Sequence, residues 1–246
     1  MEWKTAISTV EGGKELIRGY DLRELIAKKT FVESVWLVLK AELPNPAQLR
    51  MLNALLVACI DHGIGVSSAM TARTVVSTGN SLHTALAAGI LSLGTLHGSA
   101  VEDAARFFQQ HLGADLPALV RSLREKNIRI PGFGHKILDH DPRSEALFLV
   151  ARETGFYGKH SEFAIVIAST LAAVVSKPLP VNVDGAMAAI LLDMGFDSRM
   201  TKGFFILGRV PGLVAHIFEE MTSNNGLRRL REDETHYTGS RERPLP

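Results

Sequence analysis

The chain has 246 residues, of which 46% are hydrophobic and 22% are charged, and its formal net charge is +1. This composition is typical of a soluble globular protein and excludes a chain that is disordered over most of its length. Because Lys and Arg nearly balance Asp and Glu, the sequence predicts no nucleic-acid partner and no membrane partner; an anionic ligand must be bound locally.

Cys59 is the only cysteine, so a disulfide framework and a thiolate metal cluster are both excluded, and a reducing cytoplasm is the expected location. The first residues, "MEWKTAISTVEGG", contain no apolar core of signal-peptide length. The longest apolar runs, such as "AIVIASTLAAVV", are shorter than the roughly 18–20 residues that span a bilayer. We therefore expect a soluble cytoplasmic protein.

Apolar residues recur at helical intervals from the first third of the chain onward. The segment "DLRELIAKKTFVESVWLVLKAEL" follows this period, with Asp21 as its expected N-cap. In "NPAQLRMLNALLVACIDHG", Asn45 precedes Pro46 and Gly63 closes the segment, which is the pattern of a capped helix with proline in its first turn.

The remaining predicted helices follow in the same order, and runs with the alternation of strands are scarce. They are "SLHTALAAGILSLGTL", "GSAVEDAARFFQQHL", "LPALVRSLREK", "RSEALFLVARETG", "SEFAIVIASTLAAVVS", "DGAMAAILLDMG" and "SRMTKGFFILGRVPGLVAHIFEEM". The fold class is therefore predicted to be all-α. The charged end, "NNGLRRLREDETHYTGSRERPLP", is expected to be a tail or, in an oligomer, a segment lying over a neighbour.

Three junctions between helices carry polar residues suited to chemistry. His97 lies in "TLHGSAVEDAA", His135 in the Gly- and Pro-rich "PGFGHK", and Asp184 at the start of the apolar helix "VNVDGAMAAIL". A carboxylate at a helix N-terminus is stabilised by the helix dipole. Each residue also has a structural interpretation: His97 as a hydrogen-bonded core histidine, His135 as part of a polar loop, and Asp184 as an N-cap.

Other kinds of site are disfavoured by the motifs. "GFGHKI" lacks the third glycine of a dinucleotide-binding loop and follows a charged loop rather than a strand. The nine histidines include no HExxH, so no catalytic metal is expected. The absence of a G-x-S-x-G elbow and of a Cys-centred motif argues against a covalent nucleophile.

A basic cluster surrounds the "PGFGHK" loop in sequence, opposed only by Glu125 between positions 121 and 136. This cluster is either a solvated helix end or a local site for a phosphorylated ligand. Its members are Arg121, Arg124, Lys126, Arg129 and Lys136.

Taken in order, these stretches resemble the citrate synthase superfamily over nearly the whole chain. The similar segments are "IRGYDLRELIAKKTFVESVWLVLKAELPNPAQ", "DHGIGVSSAMTAR", "GTLHGSAVEDA", "PGFGHK", "DPR", "VNVDGAMAAIL", "FFILGRVPGLVAHIFEEM" and "YTGSRERPLP". Between "ELPNPAQ" and "DHG" only about a dozen residues remain, where full-length enzymes carry several more helices. In this the chain is similar to the short forms, citryl-CoA lyase and the citrate-cleaving module of ATP-citrate lyase.

The resemblance implies a citrate synthase-like all-α fold with two domains. Residues 1–99 and 196–246 are expected to form a large helical domain, and residues 100–195 a small mobile domain, with the active site in the cleft. The C-terminal segment is expected to contact the partner in a homodimer.

The resemblance also implies roles for three residues in making or breaking a carbon–carbon bond between an acyl-CoA methyl carbon and a 2-oxo acid. Asp184 matches the base that removes the methyl proton, or the acid that returns it in cleavage. His97 matches the donor to the thioester oxygen, where negative charge develops. His135 matches the group that exchanges a proton with the hydroxyl or carbonyl oxygen of the other half.

Binding residues follow from the same resemblance. Arg143 and Arg209 match arginines that bind the carboxylates of the oxo-acid half, since guanidinium groups bind carboxylates bidentately, and His62 matches a histidine that holds this half. Coenzyme A enters as a thioester substrate, and its expected binding loop comprises Pro131, Gly132, Phe133, Gly134 and Lys136.

Two departures from the family pattern concern substrate binding. From His135 to Arg143 the chain is one residue shorter than the usual spacing, and Asp139 stands where a CoA-binding basic residue is common. Before "YTG", Glu232 and Glu234 stand where the family has the arginine that reaches into the partner's site. Another arginine, namely Arg228, Arg229 or Arg231, could reach the partner's site instead. Otherwise the substrate has one carboxylate fewer than citrate, or a different substituent at that position.

The predicted function is that of a citryl-CoA lyase-type enzyme. It would cleave a 3-hydroxy-3-carboxyacyl-CoA, such as citryl-CoA or a close analogue, to acetyl-CoA and a 2-oxo acid such as oxaloacetate. One alternative is a citrate synthase-like Claisen condensation of acetyl-CoA with a 2-oxo acid. Another is a non-catalytic relative that binds CoA or a carboxylate, although such a module has no need of Asp184 together with His97 and His135.

Overall fold

The computed structural model describes residues 2–245 apart from 99, 135–139, 175–178 and 224. Within that part, eleven α-helices account for most of the chain, and a three-stranded sheet precedes them. The all-α prediction is confirmed for the body of the protein, whereas the small N-terminal sheet was not predicted.

The helices, numbered in chain order, are α1 (Leu22–Lys28), α2 (Phe31–Lys40), α3 (Pro46–Ala58), α4 (Ser67–Ser77), α5 (Leu82–Leu91), α6 (Ala100–His111), α7 (Leu116–Glu125), α8 (Pro142–Thr154), α9 (Lys159–Val174), α10 (Val183–Asp193) and α11 (Thr201–Thr222). Two 3₁₀ turns, Ser198–Met200 and Glu232–Glu234, complete the helical segments.

The N-terminal sheet is an antiparallel meander of β1 (Ser8–Glu11), β2 (Lys14–Ile17) and β3 (Tyr20–Asp21) in the order β1-β2-β3. Its first hairpin turns through Gly12 and Gly13, whose φ values of 56° and 74° lie in the left-handed region that favours glycine. Because no strand exceeds four residues, the alternation is too short to stand out in the sequence.

Both predicted N-caps are confirmed. The Asp21 side chain accepts a hydrogen bond from the backbone N–H of Arg23 at 2.9 Å, and that of Asn45 accepts one from Gln48 at 2.9 Å. Helix α3 ends at Ala58, earlier than the predicted closure at Gly63.

The first predicted helical segment is in fact two helices. Thr30 ends the extended link after α1 and starts α2 through a capping box, in which Thr30 Oγ1 accepts from the Glu33 N–H and Glu33 accepts from the Thr30 N–H at 2.8 Å. A local cap therefore overrides an apolar period that runs through the break.

The chain forms two compact units. The first comprises Met1–Asp61 and Gly94–Arg209. Its centre is α10, whose residues from Gly185 to Leu191 are all buried, with α6, α8 and α9 packed against it. The Asp193 carboxylate at the end of α10 accepts hydrogen bonds from the N–H groups of Gly158, His160 and Ser161, and so caps the start of α9.

The second unit comprises His62–Leu93 and Val210–Pro246. Its apolar core lies between α4, α5 and the second half of α11 and is formed by Ala69, Ala72, Val76, Ala85, Leu213 and Ile217. Beside this core, the buried Glu220 binds Arg73 at 2.6 Å and Arg228 at 2.6 Å, which ties the segment after α11 to α4. The predicted division into domains 1–99, 100–195 and 196–246 stays a prediction.

None of the helices in the described part of the chain is both long enough and apolar enough to cross a membrane.

Candidate active site

Asp184 lies in the first turn of α10 but does not cap it. The cap is Asn182, whose side chain accepts a hydrogen bond from the Gly185 N–H at 3.1 Å. The structural interpretation of Asp184 as an N-cap is therefore wrong, and its carboxyl group is not needed to cap α10.

Asp184 is half-buried, and one of its two carboxyl oxygens is shielded from water. Its Oδ1 is buried and finds no hydrogen-bond partner in the part of the chain that the structure describes. Burial raises the pKa of Asp184 to about 6; Asp141 raises it as well, while Arg143 and Arg209 oppose the rise. A carboxyl group with this pKa can both take up and release a proton near neutral pH, as general acid–base catalysis requires.

The loop that leads to His135 is fixed against the segment before α10. The Gly134 N–H donates to the Pro180 carbonyl at 2.8 Å, and the Asn182 N–H donates to the Gly132 carbonyl at 3.0 Å. The Asn182 side chain donates to the Gly134 carbonyl at 3.1 Å. Asn182 therefore both caps the helix of Asp184 and holds the residue before His135.

His135 and Lys136 themselves lie outside the described residues, so their predicted roles stay predictions.

Two glycines allow the loop to approach α10. A Cβ on Gly132 would lie 2.8 Å from Gly185 Cα and 3.1 Å from Ala104 Cβ, and one on Gly185 would lie 2.3 Å from the Gly132 carbonyl oxygen. Gly132 also has φ +86°, a backbone conformation that favours glycine. Gly132 was predicted to let the backbone approach a ligand; in the structure its lack of a side chain also lets the loop approach α10 and α6.

His97 lies in the link between α5 and α6, three residues before α6 begins. Its N–H donates to the Gly94 carbonyl at 2.9 Å, and Gly98 follows with φ +78°. The residue is half-buried. The link that carries His97 is followed by α6. Helix α6 packs on α10, the helix of Asp184, and its Ala104 lies beside Gly132 in the loop before His135.

Arg143 is held at the start of α8 by the carboxylate of Asp141, two residues earlier. Asp141 Oδ1 accepts from the backbone N–H of Arg143 at 3.0 Å and from its Nε at 3.1 Å, and Oδ2 accepts from Nη2 at 3.0 Å. Asp141 is 1% exposed. Although burial favours its neutral form, the hydrogen bonds and charge of Arg143 keep the pKa of Asp141 below its ordinary value.

Arg209 lies on α11 and is 3% exposed, which confirms the prediction of a buried rather than a surface arginine. Its Nε donates to the Cys59 carbonyl at 2.7 Å, and its guanidinium lies 5.0 Å from the centre of the Phe205 ring. Nη1 is buried and, among the described residues, has no hydrogen-bond partner. Burial lowers the pKa of Arg209.

Together, Asp184, Arg143 and Arg209 form a charged cluster within the first unit. Each arginine acts on the pKa of the Asp184 carboxyl, and a buried polar atom that lacks a partner, such as Asp184 Oδ1 or Arg209 Nη1, costs about 1–3 kcal/mol. A ligand carboxylate would accept from Arg209 Nη1, and a ligand hydroxyl group would donate to Asp184 Oδ1. His62, the remaining predicted substrate residue, belongs to the second unit and stays a prediction.

The basic cluster begins on α7 with Arg121 and Arg124 and continues into the segment that follows the helix. Arg124 Nη1 donates to the Val174 carbonyl at the end of α9, which is a structural role. A search for three or more His, Cys, Asp or Glu side chains grouped as metal ligands found none among the residues described.

Comparison with known proteins decides the family. Residues 47–231 match the family model described as citrate synthase, C-terminal domain. The chain belongs to the citrate synthase family. The family prediction is thereby confirmed.

Among solved members of the family, citryl-CoA lyase from Hydrogenobacter thermophilus is 46% identical, with a TM-score of 0.93 over 99% of this chain and 97% of that one. ATP citrate lyase from Methanothrix soehngenii, solved in complex with citrate and coenzyme A, is 25% identical, with a TM-score of 0.86 over 98% of this chain and 42% of that one. The predicted likeness to the short forms and the predicted fold are both confirmed.

Two curated relatives are similar to the chain over part of their own length. ATP-citrate synthase beta chain protein 2 from Arabidopsis thaliana is 32% identical over 199 residues, which are 73% of this chain and 33% of that protein. Citrate synthase 2 from Bacillus subtilis is 31% identical over 212 residues, 84% of this chain and 55% of that protein. The chain thus spans about a third of the ATP-citrate synthase relative.

Sequence reasoning missed Asp141 and Asn182 as residues of the site. Asp141 stands directly before Pro142, a spacing typical of an N-cap, and Asn182 stands two residues before Asp184. These signals predict caps, but they do not reveal that each cap also binds a segment more than 40 residues away in the chain.

Proposed function

We propose that this protein is a citryl-CoA lyase-type enzyme that cleaves citryl-CoA, or a close 3-hydroxy-3-carboxyacyl-CoA analogue, to acetyl-CoA and a 2-oxo acid such as oxaloacetate. The observation that carries the proposal is the Asp184 carboxyl in a cluster with Arg143 and Arg209: its buried Oδ1 has no partner among the described residues, and its pKa is raised to about 6. The likeness to the Hydrogenobacter thermophilus citryl-CoA lyase over nearly the full length of both chains supports it.

In the proposed cleavage, His135 removes the proton from the tertiary hydroxyl group. The carbonyl of the 2-oxo acid forms, the carbon–carbon bond breaks, and its electron pair passes to the acetyl thioester as an enolate. His97 donates a hydrogen bond to the enolate oxygen, where the negative charge is greatest. The protonated Asp184 then delivers its proton to the enolate carbon, giving acetyl-CoA.

The two arginines would hold the carboxylates of the oxo-acid half. The Arg143 guanidinium is already oriented by Asp141, and Arg209 has a buried nitrogen for which the described residues supply no partner. His62 is proposed to hold the same half. The loop Pro131–Gly134 with Lys136 is proposed to contact coenzyme A, which enters as a thioester; no metal has a role in this chemistry.

The second candidate is a Claisen condensation of acetyl-CoA with a 2-oxo acid. It uses the same residues in reverse, with Asp184 ionised to remove the methyl proton, and the likeness to citrate synthase 2 of Bacillus subtilis favours it. A non-catalytic role in binding CoA or a carboxylate is disfavoured, because a binding site gains nothing from the cost of burying the Asp184 carboxyl.

We also propose a homodimer in a reducing cytoplasm. Large apolar side chains remain exposed on the second unit, as is common where a surface is covered by another subunit. They include Met70, Leu91, Phe218, Met221 and Leu230.

The structure narrows the choice of arginine that is proposed to reach a partner's site. Arg228 binds the buried Glu220 of its own chain at 2.6 Å, and Arg231 binds Asp233 at 2.9 Å. Of the three candidates, Arg229 is the one for which the described part of the chain offers no ion pair. Arg229 is therefore the proposed donor.

The proposed function is tested by two separate incubations. In one, the protein receives citryl-CoA, and thioester absorbance and oxaloacetate release are followed; in the other, it receives acetyl-CoA and oxaloacetate. Rapid cleavage with slow or no synthesis is the expected result. Synthesis without cleavage would favour the second candidate, and turnover in neither incubation would contradict both reactions for these substrates.

A further inference from the structure

Within the described residues the same local motif occurs three times: an Asp and an Arg, separated by one residue, stand at the start of a helical segment. In each copy the Asp caps the helix, one carboxylate oxygen accepts from both the backbone N–H and Nε of the Arg, and the other accepts from Nη2. The copies are Asp21–Arg23, Asp141–Arg143 and Asp197–Arg199, with hydrogen bonds of 2.7–3.2 Å.

The middle copy differs from the other two in burial and in its further contacts. The Asp141 side chain is 1% exposed, whereas those of Asp21 and Asp197 are 15% and 43% exposed. Only in this copy does a described contact join the Asp to the active-site helix: Asp141 Oδ2 also accepts from the Val183 N–H at 3.0 Å. Ser144 Oγ strengthens the junction by donating to the carbonyls of Asp141 and Val181, each at 2.8 Å.

Burial of a carboxylate is costly, and capping a helix does not require full burial, as the two less buried copies demonstrate. At Asp141, the buried carboxylate accepts hydrogen bonds both from the Arg143 guanidinium and from the Val183 N–H. It therefore connects the guanidinium rigidly to the backbone that carries Asp184. Both groups belong to the charged cluster described above, and the connection runs through a single carboxylate.

We propose that Asp141 is a positioning residue for the reaction: it fixes the Arg143 guanidinium for carboxylate binding and fixes the first turn of α10 for proton transfer by Asp184. This inference rests on the proposed function. Asp141 itself touches neither the substrate nor the reacting atoms.

The charges that act on Asp184 make the inference testable by pH. They are Asp141 and Arg143 at the start of α8 and Arg209 on α11. The negative charge of Asp141 raises the pKa of Asp184, and Asp141 also offsets the positive charge of Arg143. Neutralising Asp141 therefore moves the titration of Asp184 to lower pH.

The experiment compares Asp141→Asn and Asp141→Ser with Asp21→Asn and Asp197→Asn, which remove the same charge from the two less buried copies of the motif. Asn and Ser still cap helices, so α8 keeps its first turn. We expect both Asp141 variants to raise KM for citryl-CoA about tenfold or more, because the Arg143 guanidinium loses the carboxylate that orients it. We also expect the limb of the pH–rate profile that reports Asp184 to move to lower pH, and both control variants to keep wild-type KM and profile.

The wild-type protein tests the proposed function separately. If it does not cleave citryl-CoA, calorimetric binding of citrate to the same variants decides the inference, with binding about tenfold weaker expected for the Asp141 variants alone. Wild-type KM and pH profile, or wild-type citrate binding, in the Asp141 variants would overturn the inference. Failure of both variants to fold under conditions where the controls fold would overturn it too, since Asp141 would then be needed for folding alone.

Discussion

At the scale of single residues, Asp184 occupies a position that costs stability, and we propose that the same position suits it to proton transfer. Its buried Oδ1 has no hydrogen-bond partner in the described part of the chain. Asn182, and not Asp184, caps the helix. The sequence predicted Asp184 from its place at the start of an apolar helix, but could not distinguish capping from catalysis. The distinction depends on burial, which is set by helices far away in the chain.

Replacing Asp184 with Asn should abolish proton transfer while keeping the size of the side chain. We expect kcat for citryl-CoA cleavage to fall by about 10²–10⁴, the usual contribution of a general acid or base, with CoA affinity changed by no more than about threefold. Steady-state kinetics and calorimetry measure the two quantities. Asp197→Asn, at an exposed cap, is the matched control, and persistence of wild-type kcat in the Asp184 variant would disprove the assignment.

The raised pKa of Asp184 predicts how the free energy of unfolding depends on pH, and the same variant tests this prediction. The pKa of Asp184 is raised from 3.8 to about 6 in the folded state, so the folded protein binds more protons than the unfolded chain between these values. This group's contribution to stability is therefore greatest below pH 3.8 and is lost as pH rises through about 6. The loss is at most about 3 kcal/mol.

Asn cannot ionise, so Asp184→Asn should gain stability relative to wild type as pH rises. We expect the difference in the free energy of urea unfolding between the variant and wild type to increase from about pH 4 to pH 7 by up to about 3 kcal/mol. A difference that is constant with pH would mean that the carboxyl titrates with an ordinary pKa in the folded protein.

At the scale of elements, the helices could be predicted from the spacing of apolar residues and from capping residues, but the junctions between helices could not. Helix α1 ends where Thr30 begins a capping box, and the N-terminal hairpin is built from strands too short to show alternation. The loop before His135 is fixed by bonds from Asn182, 48 residues after Gly134. Such bonds depend on tertiary packing, which local propensity does not encode.

The contact between Gly132 and Gly185 gives a prediction at this scale. In Gly185→Ala, the new methyl group would lie 2.3 Å from the Gly132 carbonyl oxygen, so the loop or the helix start must move. We expect cleavage activity to fall at least about tenfold and the free energy of unfolding to fall by about 2 kcal/mol or more, because overpacking displaces backbone on both sides.

Gly203→Ala supplies the control for this prediction. Gly203 lies within α11, and a Cβ there meets no atom within 4 Å. Since alanine is the better helix former, this variant should be as stable as wild type or up to about 1 kcal/mol more stable, with unchanged activity. Equal behaviour of the two variants in thermal unfolding and kinetics would show that the glycine contact does not position the loop.

At the scale of the whole molecule, the order of short motifs predicted the family, and the comparisons confirmed it. What the motifs could not provide was the connection between them. Asp141 stands two residues before a predicted arginine, yet its bond to Val183 spans 42 positions and exists only in the folded chain. The sequence named Asp184, Arg143 and Arg209, which the structure places in one charged cluster, but it did not reveal the residues that hold them in place.

The second unit gives the last prediction, which concerns assembly. Arg228 is retained by the buried Glu220, and its N–H also donates to Ser77 Oγ at 3.0 Å, so the chain after α11 is anchored to its own subunit up to this point. Arg229 follows the anchor directly and is exposed. In the proposed homodimer, a side chain placed here would reach the substrate of the partner, while Arg228 would serve only to anchor the segment.

Arg229→Ala should therefore raise KM for citryl-CoA about tenfold or more, through loss of a charge-assisted contact, and leave the unfolding temperature unchanged. Arg228→Ala should lower the unfolding temperature, because it leaves Glu220 buried with only Arg73 to neutralise it. Kinetics, thermal unfolding and sedimentation equilibrium check these outcomes. A monomer in sedimentation, or wild-type KM in Arg229→Ala, would contradict a carboxylate contact made by this arginine across subunits.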